Sequence, residues 1–157
     1  MSPQPQHPFD QLVFKDFGWN IDLHHPLMAA EITLSVDGEA DQPPAAWQRA
    51  VYDEFMQHSE RLTTQVYQAI FDYYQSVAPA YRDQYQQHDW QQALPEITQV
   101  AQIKPLLTPA GIVVPDLFPE HGEIGLLFEC SWEPEHGLAV KIQHNQVVEV
   151  GFQDICI

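Results

Sequence analysis

The stretch EIGLLFECSWEPEHGLAVKIQHNQVVEVGF, from Glu123 to Phe152, decides the fold. Ile124, Leu126, Phe128, Cys130 and Trp132 recur at every second position, the period that puts side chains on one face of a β-strand. Leu138, Val140 and Ile142 repeat the pattern, Asn145-Gln146 supplies a tight turn, and Val148, Val150 and Phe152 return. Strands are therefore predicted at residues 124–131, 138–143 and 147–152, an antiparallel meander.

Upstream the period lengthens. Trp47, Val51, Phe55, Leu62, Val66, Ile70, Tyr73 and Val77 are spaced by threes, fours and one seven, a stripe along one face of a helix opened by Pro43-Pro44. A single helix over residues 45–77 would run about 50 Å at ~1.5 Å per residue, longer than a compact chain of this size is wide. A break is predicted at His58-Ser59, with Ser59 capping the second half. Pro79 and Pro95 each suit a first helical turn, so residues 80–92 and 96–103 are read as shorter helices.

Before the helices, Leu12, Phe14, Phe17, Trp19, Ile21 and Leu23 suggest a strand or strand pair bent at Gly18. Ile32, Leu34 and Val36 form a clear strand that ends at Asp37-Gly38. Strands in runs at both ends of a helical block indicate an α+β fold: an antiparallel C-terminal sheet, joined by N-terminal strands and packed against a long or broken amphipathic helix. The chain of 157 residues holds one domain, predicted over residues 12–157, after a Pro- and Gln-rich arm at residues 1–11 read as disordered.

Composition narrows the function classes. Twenty-two Asp and Glu against six Lys and Arg give a formal charge of -16, which repels nucleic-acid phosphate and anionic membranes. No apolar run is long enough for a membrane-spanning helix, and residues 1–8 carry no basic, apolar leader, so the cytoplasm is expected. Cys130 and Cys156 lack a C-x-x-C spacing and are read as reduced thiols. No G-x-S-x-G elbow, P-loop or dinucleotide fingerprint occurs, and no catalytic residue or cofactor is assigned.

The acids are unevenly placed. Asp16, Asp22, Glu31, Asp37, Glu39 and Asp41 fall between Lys15 and Arg49, and Asp116, Glu120, Glu123, Glu129, Glu133 and Glu135 between Lys104 and Lys141. If both strand regions share one sheet, a solvated surface or rim concentrates negative charge and steers a basic partner. Two Glu-His-Gly triplets, Glu120-His121-Gly122 and Glu135-His136-Gly137, read first as turns. Brought together, their imidazoles and carboxylates would suit a divalent ion, yet the spacing matches no known zinc framework and no metal ligand is assigned. His24-His25, before Pro26, is read as a surface loop.

The segment Trp132-Glu133-Pro134-Glu135-His136-Gly137-Leu138 and the ending Val150-Gly151-Phe152-Gln153-Asp154 resemble an uncharacterised bacterial domain family of small acidic proteins with a W-x-x-E-H-G-L-type segment and a V-G-x-x-D-like end. Phe17-Gly18-Trp19 and Tyr73-Tyr74 extend the likeness, while Pro134 stands where a polar or acidic residue is expected. The resemblance implies a bacterial cytoplasmic protein, some of whose relatives look like immunity proteins of toxin systems. The reading carried forward is a non-enzymatic domain engaging a basic partner protein, with Glu120, Glu123, Trp132, Glu133, Glu135 and His136 as candidate binding residues. The alternative is a metal-dependent hydrolase using the Glu-His-Gly segments.

Overall fold

The computed structural model describes residues 6–26, 28–85 and 91–156. Its strands are β1 (Val13–Lys15), β2 (Gly18–His25), β3 (Ala30–Val36), β4 (Leu107–Val114), β5 (Glu123–Cys130), β6 (Leu138–Gln143) and β7 (Gln146–Gly151). Helices α1 (Ala46–Gln57) and α2 (Ser59–Tyr85) stand between β3 and β4. The strands form one seven-stranded sheet in sequence order, so the N- and C-terminal strands do share a sheet. Every neighbouring pair is antiparallel except β3 and β4, which run parallel. A parallel pair needs a crossover, and the helical block supplies it.

The fold is α+β, as the patterns predicted. The period-two residues Ile124, Leu126, Phe128 and Cys130 of β5, Leu138, Val140 and Ile142 of β6, and Ile32, Leu34 and Val36 of β3 are all buried in one cluster. From the helices come Tyr52 and Phe55, then Leu62, Val66, Ile70, Tyr74 and Ala78 at unbroken intervals of four. The stripe thus ends on Tyr74 and Ala78, whereas the expected Tyr73 and Val77 lie beside it, half-buried. Trp132 is only 2% exposed and meets Tyr74 edge-to-face, with ring centroids 4.9 Å apart.

The helix breaks at His58 (φ −105°, ψ 19°). Its carbonyl accepts from the Leu62 N–H at 2.9 Å, so His58 occupies the capping position and Ser59 is the first residue of α2 rather than its cap.

Other boundaries differ from expectation for physical reasons. No helix starts at Pro79, because α2 continues through it to Tyr85. Pro79 and Gln75 are both exposed, so the carbonyl that loses its helical partner lies on the solvent side. The rest of the helix expected over 80–92 lies partly outside the described residues. The helix predicted at 96–103 is replaced by a 3-10 turn at Val100–Leu106. Side chains of α2 hold the preceding stretch extended: Arg82 donates to the carbonyls of Leu94 and Pro95, the Tyr74 hydroxyl to that of Pro95, and Gln75 to that of Ile97.

At the N-terminus, Pro8–Gln11, which fell within the arm read as disordered, forms a 3-10 turn, and Phe9 packs against Tyr52 with centroids 5.5 Å apart. The bend between β1 and β2 falls on Asp16 and Phe17, and Gly18 opens β2. The final hairpin turns on His144 and Asn145 (φ 49° and 63°), one residue earlier than predicted. His24-His25 is the end of β2, not a surface loop. The strand's alternation leaves His24 exposed and drives His25 into the core.

On the face of the sheet away from the helices, the turn Gln153–Ile155 and Cys156 fold back over β5 to β7. Gly125 makes this possible, since a Cβ there would lie 2.7 Å from the Cys156 Sγ. Among the described residues, no helix is long and apolar enough to cross a membrane.

Candidate functional site

Strand direction sorts the candidate residues between two ends of the sheet. One end carries the Asp16–Phe17 turn, the segment after β3, residues 115–122 between β4 and β5, and the His144–Asn145 turn. The opposite end carries Pro26, Met28 and Ala29 and, between β5 and β6, residues 131–137. Glu120 and Glu123 therefore belong to the first end, and Trp132, Glu133, Glu135 and His136 to the second. Eight-residue β5 lies between the two Glu-His-Gly triplets, about 25 Å at ~3.3 Å per residue. The fold does not bring their imidazoles together. Among the described residues, no three His, Cys, Asp or Glu side chains are grouped to hold a metal ion.

At the second end the side chains are occupied with one another. Glu133 accepts from the Tyr81 hydroxyl at 2.7 Å and faces His136 Nδ1 at 3.0 Å. Burial raises the Glu133 carboxyl, but the bonds from Tyr81 and His136 outweigh it and hold the group below the usual glutamate range. The same bond to Glu133 raises the exposed His136 imidazole, helped by the charges of Glu133, Glu135 and Asp154. His136 also stacks on Phe152. Trp132 is committed to the core, and Glu135 is exposed.

The first end has the opposite character: its apolar groups are displayed. Phe17 is 97% exposed, Leu117 67% and Phe118 58%. Phe17 (φ 66°) and Phe118 (φ 54°) both lie in the left-handed region, which disfavours a bulky side chain. The loops and strand ends on this side also carry Asp16, Asp37, Glu39, Asp41, Asp116, Glu120 and Glu123, acids drawn from both halves of the sequence. Strained backbone that presents greasy rings to water concentrates at recognition sites.

A buried amide fixes this end. Gln48, in the first turn of α1, accepts from the Ala45 N–H at 2.8 Å and donates to the carbonyls of Asp37, Val114 and Pro115 at 3.0, 3.3 and 3.2 Å. One side chain thus ties the helix start to the ends of β3 and β4. Trp19 Nε1 adds bonds to the carbonyls of Glu39 and Gln42. In the loop before β5, His121 stacks on Phe118 (centroids 5.0 Å, 25°), and His144 Nε2 meets the Glu120 carbonyl. Gly122 (φ 54°) lets His144 approach, since a Cβ there would sit 3.0 Å from its ring.

These loops border a cleft of about 370 Å³ lined by Asp37, Phe118, His121, Glu123, Lys141, Cys156 and their neighbours. Gln143 orients the Glu123 carboxylate at 2.8 Å, and Lys141 faces Glu149 at 3.7 Å. Asp37 is raised by burial and then by the charge of Asp116. Burial pushes the Cys156 thiol up to about 12, so at neutral pH it is no activated nucleophile. Phe17, Asp37, Phe118 and Gln48 were not singled out as site residues by sequence; a phenylalanine beside a turn gives no periodic signal.

A family model described as a domain of unknown function (DUF6985) matches residues 8–157. No curated protein and no solved structure matches the chain.

Proposed function

The chain belongs to the DUF6985 family, and we propose that it is a non-enzymatic protein-binding domain that engages a basic surface of a partner protein through the acidic, aromatic end of its sheet. One observation carries the reading: Phe17 and Phe118 are held exposed in left-handed backbone at the end of the sheet whose loops also carry Asp16, Asp37, Glu39, Asp41, Asp116 and Glu120. Aromatic anchors bury well at interface centres, and the surrounding charge speeds encounter with a basic partner. An immunity-type role in a bacterial cytoplasm, in which the partner is a toxin held inactive, is the form of this function that the C-terminal resemblance favours. The hydrolase alternative would need both Glu-His-Gly triplets at one site, and β5 stands between them.

The test compares the wild type with a charge-reversed variant, Asp16→Lys, Asp116→Lys, Glu120→Lys, in capture from native lysate. A control reverses Glu135 at the far end. The wild type and the control are expected to retain the same protein at low salt and release it as salt rises, while the triple variant retains none. Equal retention by the triple variant would refute the site, and failure of the wild type to retain any protein would refute the binding function.

A further inference from the structure

The cleft beside the exposed rings has walls and charges that select a particular side chain. We propose that it seats an arginine of the basic partner, its guanidinium lying between the Phe118–His121 stack and the carboxylates of Asp37 and Glu123; this rests on the protein-binding reading above.

The geometry favours arginine for three reasons. First, the stacked Phe118 and His121 rings offer a flat surface, and a planar guanidinium stacks on such a surface better than a strongly hydrated ammonium does. Second, the polar lining is acceptor-rich. Glu123 is held by Gln143, while Asp37 adjoins Asp116, a like charge that an arriving cation would relieve. Lys141, the cation among the lining residues, already faces Glu149. Third, Pro115, Leu117 and Ile155 give the methylene stem an apolar passage. Leu117 and Phe118 belong to both the cleft and the exposed rim, so a residue entering the cleft would arrive from a surface resting on that rim.

The experiment is an NMR titration of the full ¹⁵N-labelled chain with N-acetyl-arginine amide, beside its uncharged isostere N-acetyl-citrulline amide and a short arginine-containing basic peptide. The arginine amide is expected to shift the amides of Asp37, Phe118, Glu123 and Gln143 along a saturable curve. Citrulline amide should not, and the Asp37→Asn, Glu123→Gln variant should bind arginine amide roughly tenfold more weakly or worse. Equal responses to arginine and citrulline, or unchanged arginine binding by the variant, would overturn the proposal. A basic peptide that shifts Asp16, Phe17 and Glu39 while arginine amide leaves the cleft unmoved overturns the arginine seat and leaves the binding reading standing. Arginine amide that saturates the cleft while the peptide ignores the rim supports the seat and counts against the rim.

Discussion

The ring of His136 lies parallel to that of Phe152, with centroids 4.8 Å apart and planes 14° from coplanar, while its Nδ1 meets Glu133 Oε1 at 3.0 Å. The hairpin loop is thereby fastened to the end of the chain by a contact that depends on protonation. Because the imidazole is raised in the fold, its charged form contributes stability that is full below the unfolded value near 6.5 and is lost as pH rises through the folded value. The melting-temperature gap between wild type and His136→Ala should therefore narrow from about pH 5 to about pH 8. A gap that stays constant over this range would show the stack, not the ion pair, to be the fastening.

His25 runs in the other direction. It is fully buried, its Nε2 meets the Tyr52 hydroxyl at 3.2 Å, and among the described residues its Nδ1 has no hydrogen-bond partner. Burial, with the charge of His24, lowers it to about 4. The unfolded chain binds this proton more readily, so stability is greatest above the ordinary value near 6.5 and declines as pH falls toward the folded value. Urea unfolding across that interval should show a downward slope in wild type that His25→Leu flattens. An unaltered slope would assign acid sensitivity to other groups.

Replacing Trp132 by Ala removes the largest fully buried side chain and its contact with Tyr74. A loss of about 3–5 kcal/mol is expected in denaturant unfolding, with Trp132→Phe less harmful. A loss under about 1 kcal/mol would mean that the ring contributes little to the core and is free to serve a surface.

Gln48→Leu withdraws the donor shared by the carbonyls of Asp37, Val114 and Pro115 and leaves the Ala45 N–H without its acceptor. The Val114 carbonyl keeps its bond from the Asp37 N–H. Destabilisation of roughly 2–4 kcal/mol should result, together with shifted amide resonances at Pro115's neighbours. Near-neutral stability would indicate that water replaces the amide at this junction.

Phe17→Gly separates folding from binding. Glycine adopts the left-handed turn without strain, and the ring it removes is almost wholly in water. Stability should hold or rise by up to about 1 kcal/mol, while affinity for the basic partner falls. If stability drops with affinity, the ring supports the turn and is not an anchor.

The β5 and β6 strands were legible because burial imposes a period of two on a one-sided strand, and the helix break because a single helix over 45–77 would outrun a compact chain. In β7 the burial period failed: a register shift opposite Lys141 and Ile142 turns Val147 and Val150 toward the core and leaves Val148, which the pattern placed on one face with Val150, 51% exposed. Reading proline as a first-turn residue misled at Pro79, where a proline on the solvent side of α2 removes a bond that water can replace. His25 was misplaced because Pro26 was read as loop punctuation, whereas the alternation of the strand continues past Leu23 and carries His25 inward. The separation of the two triplets was already implied by the strand predicted over 124–131, which puts a length of extended chain between them, and β5 shows that strand in place. Phe17 was read as a strand residue and Phe118 was not singled out, since exposure of an aromatic ring is a property of the finished fold. The concentration of acids was visible as charge, but their gathering at one end depends on strand direction.

The single parallel pairing has a kinetic consequence. It divides the sheet into two antiparallel runs, β1 to β3 and β4 to β7, each closed by local connections. The seam between them, where Thr33 to Val36 meet Gly111 to Val114, can zip only after the whole chain from Asp37 to Leu106 has been drawn into a loop. Loop closure of that length slows pairing, so the seam is expected to be the last part of the sheet to form. Gln48 spans this seam from the helix side, which makes one buried amide the latch on the last pairing of the sheet.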